Sequence, residues 1–125
     1  MRVLVIDDNR DAAAATGQLL QLFGHDVWFT QDGPSGIETA RWLRPDLLLL
    51  DLAMPVMSGY DVLEAIRSEP DPALASMKIF AVTAHGEEQE RIKTRTAGFD
   101  GHLLKPVELD TFIRILNGEP LETLS

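Results

Sequence analysis

Short, uniformly apolar runs alternate along the chain with stretches in which apolar residues recur every three or four positions. The first run, residues 3–6, reads as a buried strand. Ala12, Ala15, Leu19, Leu22 and Phe23 then step along one face of a predicted helix that Gly24 caps. Val27 and Phe29 alternate with polar neighbours, the pattern of a second, more exposed strand. Asp32-Gly33-Pro34-Ser35 is helix-start chemistry, and Ile37, Ala40 and Leu43 give the following helix its inward face, closed before Pro45. Residues 47–52 carry four consecutive leucines, too few for a helix and too apolar for a half-exposed strand; they predict a central strand buried on both faces.

Gly59 introduces a third helix with Val62, Leu63 and Ile66 inward, which Pro70-Asp71-Pro72 is expected to stop. A fourth strand spans 78–83, a charged helix 84–97, a short fifth strand 102–104, and a last amphipathic helix carries Leu109, Phe112, Ile113 and Leu116. Five strands alternating with five helices imply an α/β domain of three layers, α/β/α, built on a doubly wound parallel sheet. The order 2-1-3-4-5 places the two most apolar strands, the first and third, at its centre. Residues 1–118 are expected to form this domain and 119–125 a C-terminal tail.

A chain of 125 residues, 45% hydrophobic and 25% charged, suits one globular domain. A net charge of −9 argues against a direct nucleic-acid face and suits metal cations or a basic partner. There is no cysteine, hence neither a disulfide framework nor a thiolate metal site. Met1 leads directly into Arg2-Val3-Leu4, without a signal segment, and no apolar run approaches a membrane span. A cytoplasmic protein with no direct membrane contact, or a soluble module cut from a larger one, is expected.

The polar residues at the strand ends carry the chemistry. Asp7 and Asp8 end the first strand, Asp51 the third, Thr83 the fourth and Lys105 the fifth. In the proposed order all lie on one edge of the sheet, around the switch point where open α/β sheets bind ligands. Singly, each has a plainer reading: a helix cap for Asp8, Asp51 or Thr83, a surface lysine for Lys105. Together they form a complementary set. Crowded carboxylates repel unless a cation sits among them, and an all-oxygen site favours Mg²⁺ or Mn²⁺ over zinc. A carboxylate beside a metal, a lysine and a hydroxyl is a nucleophile suited to phosphoryl transfer. Three rivals fit less well. A Mg²⁺-dependent aspartyl phosphatase needs a cap and a separate general acid, for which no insertion is long enough. A flavodoxin-like cofactor binder needs a phosphate loop where this chain has two acids. A module of this fold that only binds partners and is never phosphorylated has no need of the full set, and none of it is missing.

These residues are the basis of a resemblance. Asp7-Asp8, Asp51 with Met54-Pro55 and Gly59, Thr83-Ala84, and Lys105-Pro106, in this order, resemble the receiver domain of bacterial two-component response regulators over essentially the full chain. Gly86-Glu87-Glu88 and Ala97-Gly98-Phe99-Asp100 look like segments of receivers attached to hybrid histidine kinases. The resemblance implies a flavodoxin-like doubly wound sheet, and that Asp51 accepts a phosphoryl group from a phosphohistidine on a sensor histidine kinase or histidine phosphotransfer protein. It implies Mg²⁺ held by Asp8 directly, Asp7 through water, Asp51 and the carbonyl of Ala53. Thr83, Ala84 and Lys105 would bind the phosphoryl oxygens. The Lys105-Pro106 bond would be cis, and the domain would assist its own phosphorylation and dephosphorylation. A downstream protein target would read the surface of the fourth helix, fifth strand and fifth helix, although a solvated face explains the helix charges equally well. Ala12 to Ala15 would let a donor helix approach, a property that plain helix propensity also explains.

One position departs from the pattern. Three residues before the lysine the family usually has Tyr or Phe, whose inward swing follows the threonine's shift towards phosphate; this chain has His102. A buried imidazole needs a hydrogen-bond partner and changes charge near neutral pH. His102 is expected either to report phosphorylation through a smaller or pH-dependent swing, or to be a solvent-exposed residue with no such role. Ala53 and His85, two positions past Asp51 and Thr83, stand at the expected mouth of the site.

Overall fold

The computed structural model describes residues 1–118; the expected tail, 119–125, lies outside the described residues. Five strands, β1 (Arg2–Ile6), β2 (Asp26–Thr30), β3 (Leu47–Asp51), β4 (Lys78–Thr83) and β5 (Gly101–Leu104), form one parallel sheet in the order β2-β1-β3-β4-β5. Among the described residues six helices connect or flank them: α1 (Arg10–Leu22), α2 (Gly33–Leu43), α3 (Gly59–Arg67), α4 (Pro72–Ala75), α5 (Glu88–Ala97) and α6 (Leu109–Leu116). The flavodoxin-like topology and strand order are those the sequence predicts.

Every residue of β3 is buried. Its side chains alternate between two cores, as strand geometry requires. Leu48 and Leu50 join Leu4, Ile6 and Ile79 under Ile37 of α2, Leu63 of α3 and Leu74 of α4. Leu47 and Leu49 join Val3, Val5 and Phe80 under Leu20 of α1 and Phe112 of α6. At about 1.5–3 kcal/mol for each fully buried leucine, this strand is a major contributor to both layers. The buried, ordered β3 is what delivers Asp51 to a fixed place.

Three expectations about helices are corrected. The sixth helix is α4, a single turn that begins inside the Pro70-Asp71-Pro72 stop. Asp71 accepts a hydrogen bond from the Ala73 amide, and Pro72 occupies the first turn, where its missing N–H costs nothing. Arg67 secures this turn: its guanidinium donates to the carbonyls of Ala75 and Met77 and pairs with Asp100 at 2.9 Å. Asp100 in turn accepts from the Ile79 amide, which binds the ends of α3 and α5 to the start of β4.

The inward face of α1 is Ala13, Gly17 and Leu20; Leu22 is 81% exposed and Phe23 is also exposed. Four consecutive alanines give no directional signal, and packing of small residues chose the face. A Cβ on Gly17 would lie 2.1 Å from the Phe29 ring, so the glycine is what lets β2 and α1 approach. Finally, α5 begins at Glu88, not Ala84, leaving 84–87 as a loop beside the site.

The β3–α3 loop holds a strained residue. Met57 N–H bonds to the Pro55 carbonyl at 2.7 Å, around a Val56 with φ of +68° that is fully exposed. A β-branched residue disfavours this left-handed region, and a three-residue turn with positive φ is strained. Val56→Asn, which tolerates that conformation, is expected to raise stability by about 1 kcal/mol. Chemical denaturation of the two proteins measures this.

Candidate functional site

Parallel pairing brings the carboxyl ends of the strands together. Ile6 pairs with Leu50, Asp51 with Val82, and Thr83 with Leu104. The residues just beyond therefore converge on one edge of the sheet. Asp7 and Asp51 are buried and Asp8 is exposed, and one carboxylate oxygen from each lies within 4.8 Å of the others. Asn9 begins α1 as its N-cap, and its amide donates to Asp7 Oδ1 at 2.9 Å, which fixes that carboxylate. The Ala53 amide donates to Asp51 Oδ1 at 3.2 Å.

Lys105 follows the last residue of β5. The Lys105-Pro106 bond is cis, and the Lys105 amide donates to the Thr83 carbonyl at 2.7 Å. Its ammonium lies 2.9 Å from Asp7 Oδ2 and 3.5 Å from Asp51 Oδ1. Burial disfavours the charged amine, but the hydrogen bond to Asp7 and the charges of Asp51 and Asp7 outweigh it, leaving its pKa above the ordinary lysine value.

The Asp51 pKa is also raised, to about 6, which for a carboxylic acid favours the neutral form. Burial is the largest cause, followed by the Asp7 charge; Lys105 and the Ala53 amide offset them only in part, and a hydrogen bond with Asp8 adds to the rise. One lysine is thus insufficient for three acids. The donor set is all-carboxylate, compact and short of positive charge, which fits a hard divalent cation.

Thr83 is buried at the end of β4, and its Oγ accepts the His85 amide at 3.2 Å. Ala84 follows in the loop. His102 is half-buried and does not join the carboxylates: its ring bonds to Thr94 Oγ and to the His85 carbonyl. It is therefore not the freely exposed residue that was its alternative. Thr94, 1% exposed, was not singled out from sequence; its position within the charged run of α5 conceals it. Met54, which precedes Pro55 in the loop after β3, is part of the core. Beside Asp51 and Lys105 a groove of about 260 Å³ opens along α1, lined in part by Ala12, Ala15 and Leu19.

A doubly wound sheet with an acidic, lysine-bearing pocket at its switch point defines a class of signalling domain, and comparison with known proteins gives its family. Residues 3–117 match the response regulator receiver domain. The chain belongs to that family, whose members act in two-component signalling as phosphoacceptors and not as classical enzymes. It is 37% identical over 111 residues to the probable transcriptional regulatory protein TcrX of Mycobacterium tuberculosis, covering 89% of this chain and 46% of that protein. It is 26% identical over 116 residues to protein PilH of Pseudomonas aeruginosa, covering 93% of this chain and 94% of PilH. The chain thus spans about half the length of some curated relatives, TcrX among them, and nearly all of PilH. The chemotaxis protein CheY4 of Vibrio cholerae superposes with a TM-score of 0.85 at 26% identity, over 94% of this chain and 96% of that one. Among the described residues no helix is long and apolar enough to cross a membrane.

Proposed function

We propose that Asp51 is the phosphoacceptor and that its partner in transfer is a phosphohistidine on a sensor histidine kinase or phosphotransfer protein. The observation that carries this reading is the buried Asp51 carboxylate at the end of β3, grouped with Asp7 and Asp8 and 3.5 Å from Lys105. In the transfer an Asp51 oxygen forms a bond to phosphorus as the donor's P–N bond breaks, and that bonding pair leaves with the imidazole. The product is an acyl phosphate. Asp7, Asp8, Asp51 and the Ala53 carbonyl would hold Mg²⁺, or Mn²⁺ in its place, which supplies charge neutralisation at the phosphoryl oxygens.

Lys105 sits closer to Asp7 than to Asp51. Neutralising Asp7 frees the ammonium for a phosphoryl oxygen, while the Thr83 hydroxyl and the Ala84 amide serve the others. These groups assist both arrival and hydrolysis of the phosphoryl group. The groove along α1, with alanines at its rim, accommodates a donor helix approaching Asp51. The output surface is α5–β5–α6, where Ile92, Leu104, Leu109 and Ile113 are exposed apolar side chains.

The test is intact-mass spectrometry after incubation with Mg²⁺ and a small acyl-phosphate donor. One phosphoryl adduct, absent with a chelator and mapped to Asp51, is expected. An adduct at another residue, or none even with a phosphohistidine protein as donor, refutes the assignment.

A further inference from the structure

We propose that the free edge of β2 is a self-association surface, on which a second copy of this chain adds its own β2 antiparallel to the first. The backbone decides which groups are on offer. The Asp26 amide donates to the Met1 carbonyl and the Thr30 carbonyl accepts from the Asp7 amide, so these residues face β1. By alternation Trp28 faces β1 as well, and the N–H and C=O groups of Val27 and Phe29 point away from the sheet. Natural edge strands are blunted by lysine, proline or a bulge. The β2 strand, Asp-Val-Trp-Phe-Thr, has neither lysine nor proline and pairs with β1 at every position without a bulge. The opposite edge strand, β5, is shorter, opens on a glycine and is followed at once by Lys105-Pro106.

The side chains fit a second copy. A two-fold axis through Trp28, perpendicular to the sheet, sets Val27 opposite Phe29 of the second copy, so that the two exchange hydrogen bonds. Trp28 then lies opposite its own twin, in the closer, non-hydrogen-bonded type of pair. Asp26, the only charged residue of the strand, meets Thr30 of the second copy and not another aspartate. The flanks are aromatic. The Phe29 ring is laid against Gly17 of α1 yet remains 42% exposed. On the other face Trp42 of α2 is 63% exposed, turned away from the side where Arg41 reaches Glu69. The same axis brings this flank of α2 beside its twin. Such an interface is isologous and closes at two copies, so it gives a dimer and no filament. It leaves the groove along α1 and the α5–β5–α6 surface uncovered, and it does not depend on the acceptor assignment.

The test is sedimentation equilibrium of the full chain from about 10 µM to about 1 mM, with amide hydrogen exchange followed by NMR at both ends of that range. A monomer–dimer equilibrium with a dissociation constant of about 100 µM is expected, as suits a small contact. The Val27 and Phe29 amides should exchange about threefold to fivefold more slowly at the high concentration, while those of β5 stay unchanged. Val27→Pro removes an outward donor from each copy, at a position where the missing N–H faces solvent in the monomer. It should weaken the dimer about tenfold to a hundredfold. Trp42→Lys, on an exposed flank, should weaken it about twofold to fivefold, and keeps the test open if the proline variant does not fold. Because the chain carries a net charge of −9, added salt should tighten the dimer. A monomer throughout the range, which would leave the edge to an extended peptide of another protein, overturns the proposal. So does a dimer in which Val27 and Phe29 exchange as fast as in the monomer, one that both variants leave at wild-type strength, or one that salt dissolves.

Discussion

Asp51→Asn is expected to abolish phosphoryl uptake and, in metal-free solution at pH 7.5, to make the protein more stable than wild type by about 1–2 kcal/mol. The two effects have one origin. With a native pKa of about 6, Asp51 holds its proton more tightly in the folded chain than in the unfolded one. Below the ordinary carboxylate range both states are protonated and the site costs nothing. As pH rises towards 6 the unfolded chain releases its proton first, so wild type loses stability through that window and the loss is constant above it. A two-unit rise corresponds to nearly 3 kcal/mol at full value, reduced here because the site opens to solvent on the Asp8 side.

Asparagine carries no charge, keeps an acceptor for the Ala53 amide, and leaves Lys105 its 2.9 Å partner in Asp7. Thermal melts of both proteins from pH 4 to 8 should therefore draw together towards pH 4, separate progressively as pH rises to about 6, and run parallel above it. Adding Mg²⁺ should stabilise wild type more than the variant at pH 7.5, and this advantage should vanish as the carboxylates protonate. A metal-free variant less stable than wild type at pH 7.5 would show that Asp51 is not under charge strain.

Gly59→Ala should cost about 3 kcal/mol and roughly 10 °C in melting temperature, the largest loss expected from adding one methyl group near the site. A Cβ at this position would lie 2.6 Å from the Asp51 carbonyl oxygen and 2.9 Å from the Leu52 Cα, both backbone atoms that no side-chain rotation moves. The clash must be relieved by displacing the end of β3 or the start of α3. Since the capping box of Ser58 and Asp61 pins α3, strain reaches Asp51, and phosphorylation should slow even in molecules that remain folded. Gly33→Ala provides the contrast: its nearest obstacles are the flexible Met57 side chain and a Val62 methyl. Calorimetry and phosphorylation rates for the pair measure both effects; a Gly59→Ala variant as stable and as reactive as wild type would mean the backbone there is pliable.

Much of this architecture was legible because its signals are coarse. The buried leucines of β3 declare a central strand, and Asp51 at its end inherits a location from topology alone. Asp7, Asp8, Thr83 and Lys105 were legible for the same reason. Helix faces built from small residues were not: Ala12 to Ala15 look alike from every side, and what requires a glycine at 17 is the Phe29 ring, distant in sequence. The α4 turn was hidden because Pro70-Asp71-Pro72 both stops one helix and starts another. Thr94 was invisible because its role is to receive a ring from β5, and no local pattern records that encounter.

The placement of β1 between β2 and β3 also bears on how the chain is made. Val3 pairs with Val27 on one edge and with Leu47 on the other, 44 residues further along. On a ribosome the keystone of the sheet emerges before both of its neighbours and waits with its two edges bare. The first neighbour arrives soon, but the second follows only after α2 has been synthesised. For that interval a strongly apolar strand is half-paired, the condition in which nascent chains associate wrongly. Slower synthesis across the α2 segment is therefore expected to lower the yield of this protein by prolonging that half-paired interval.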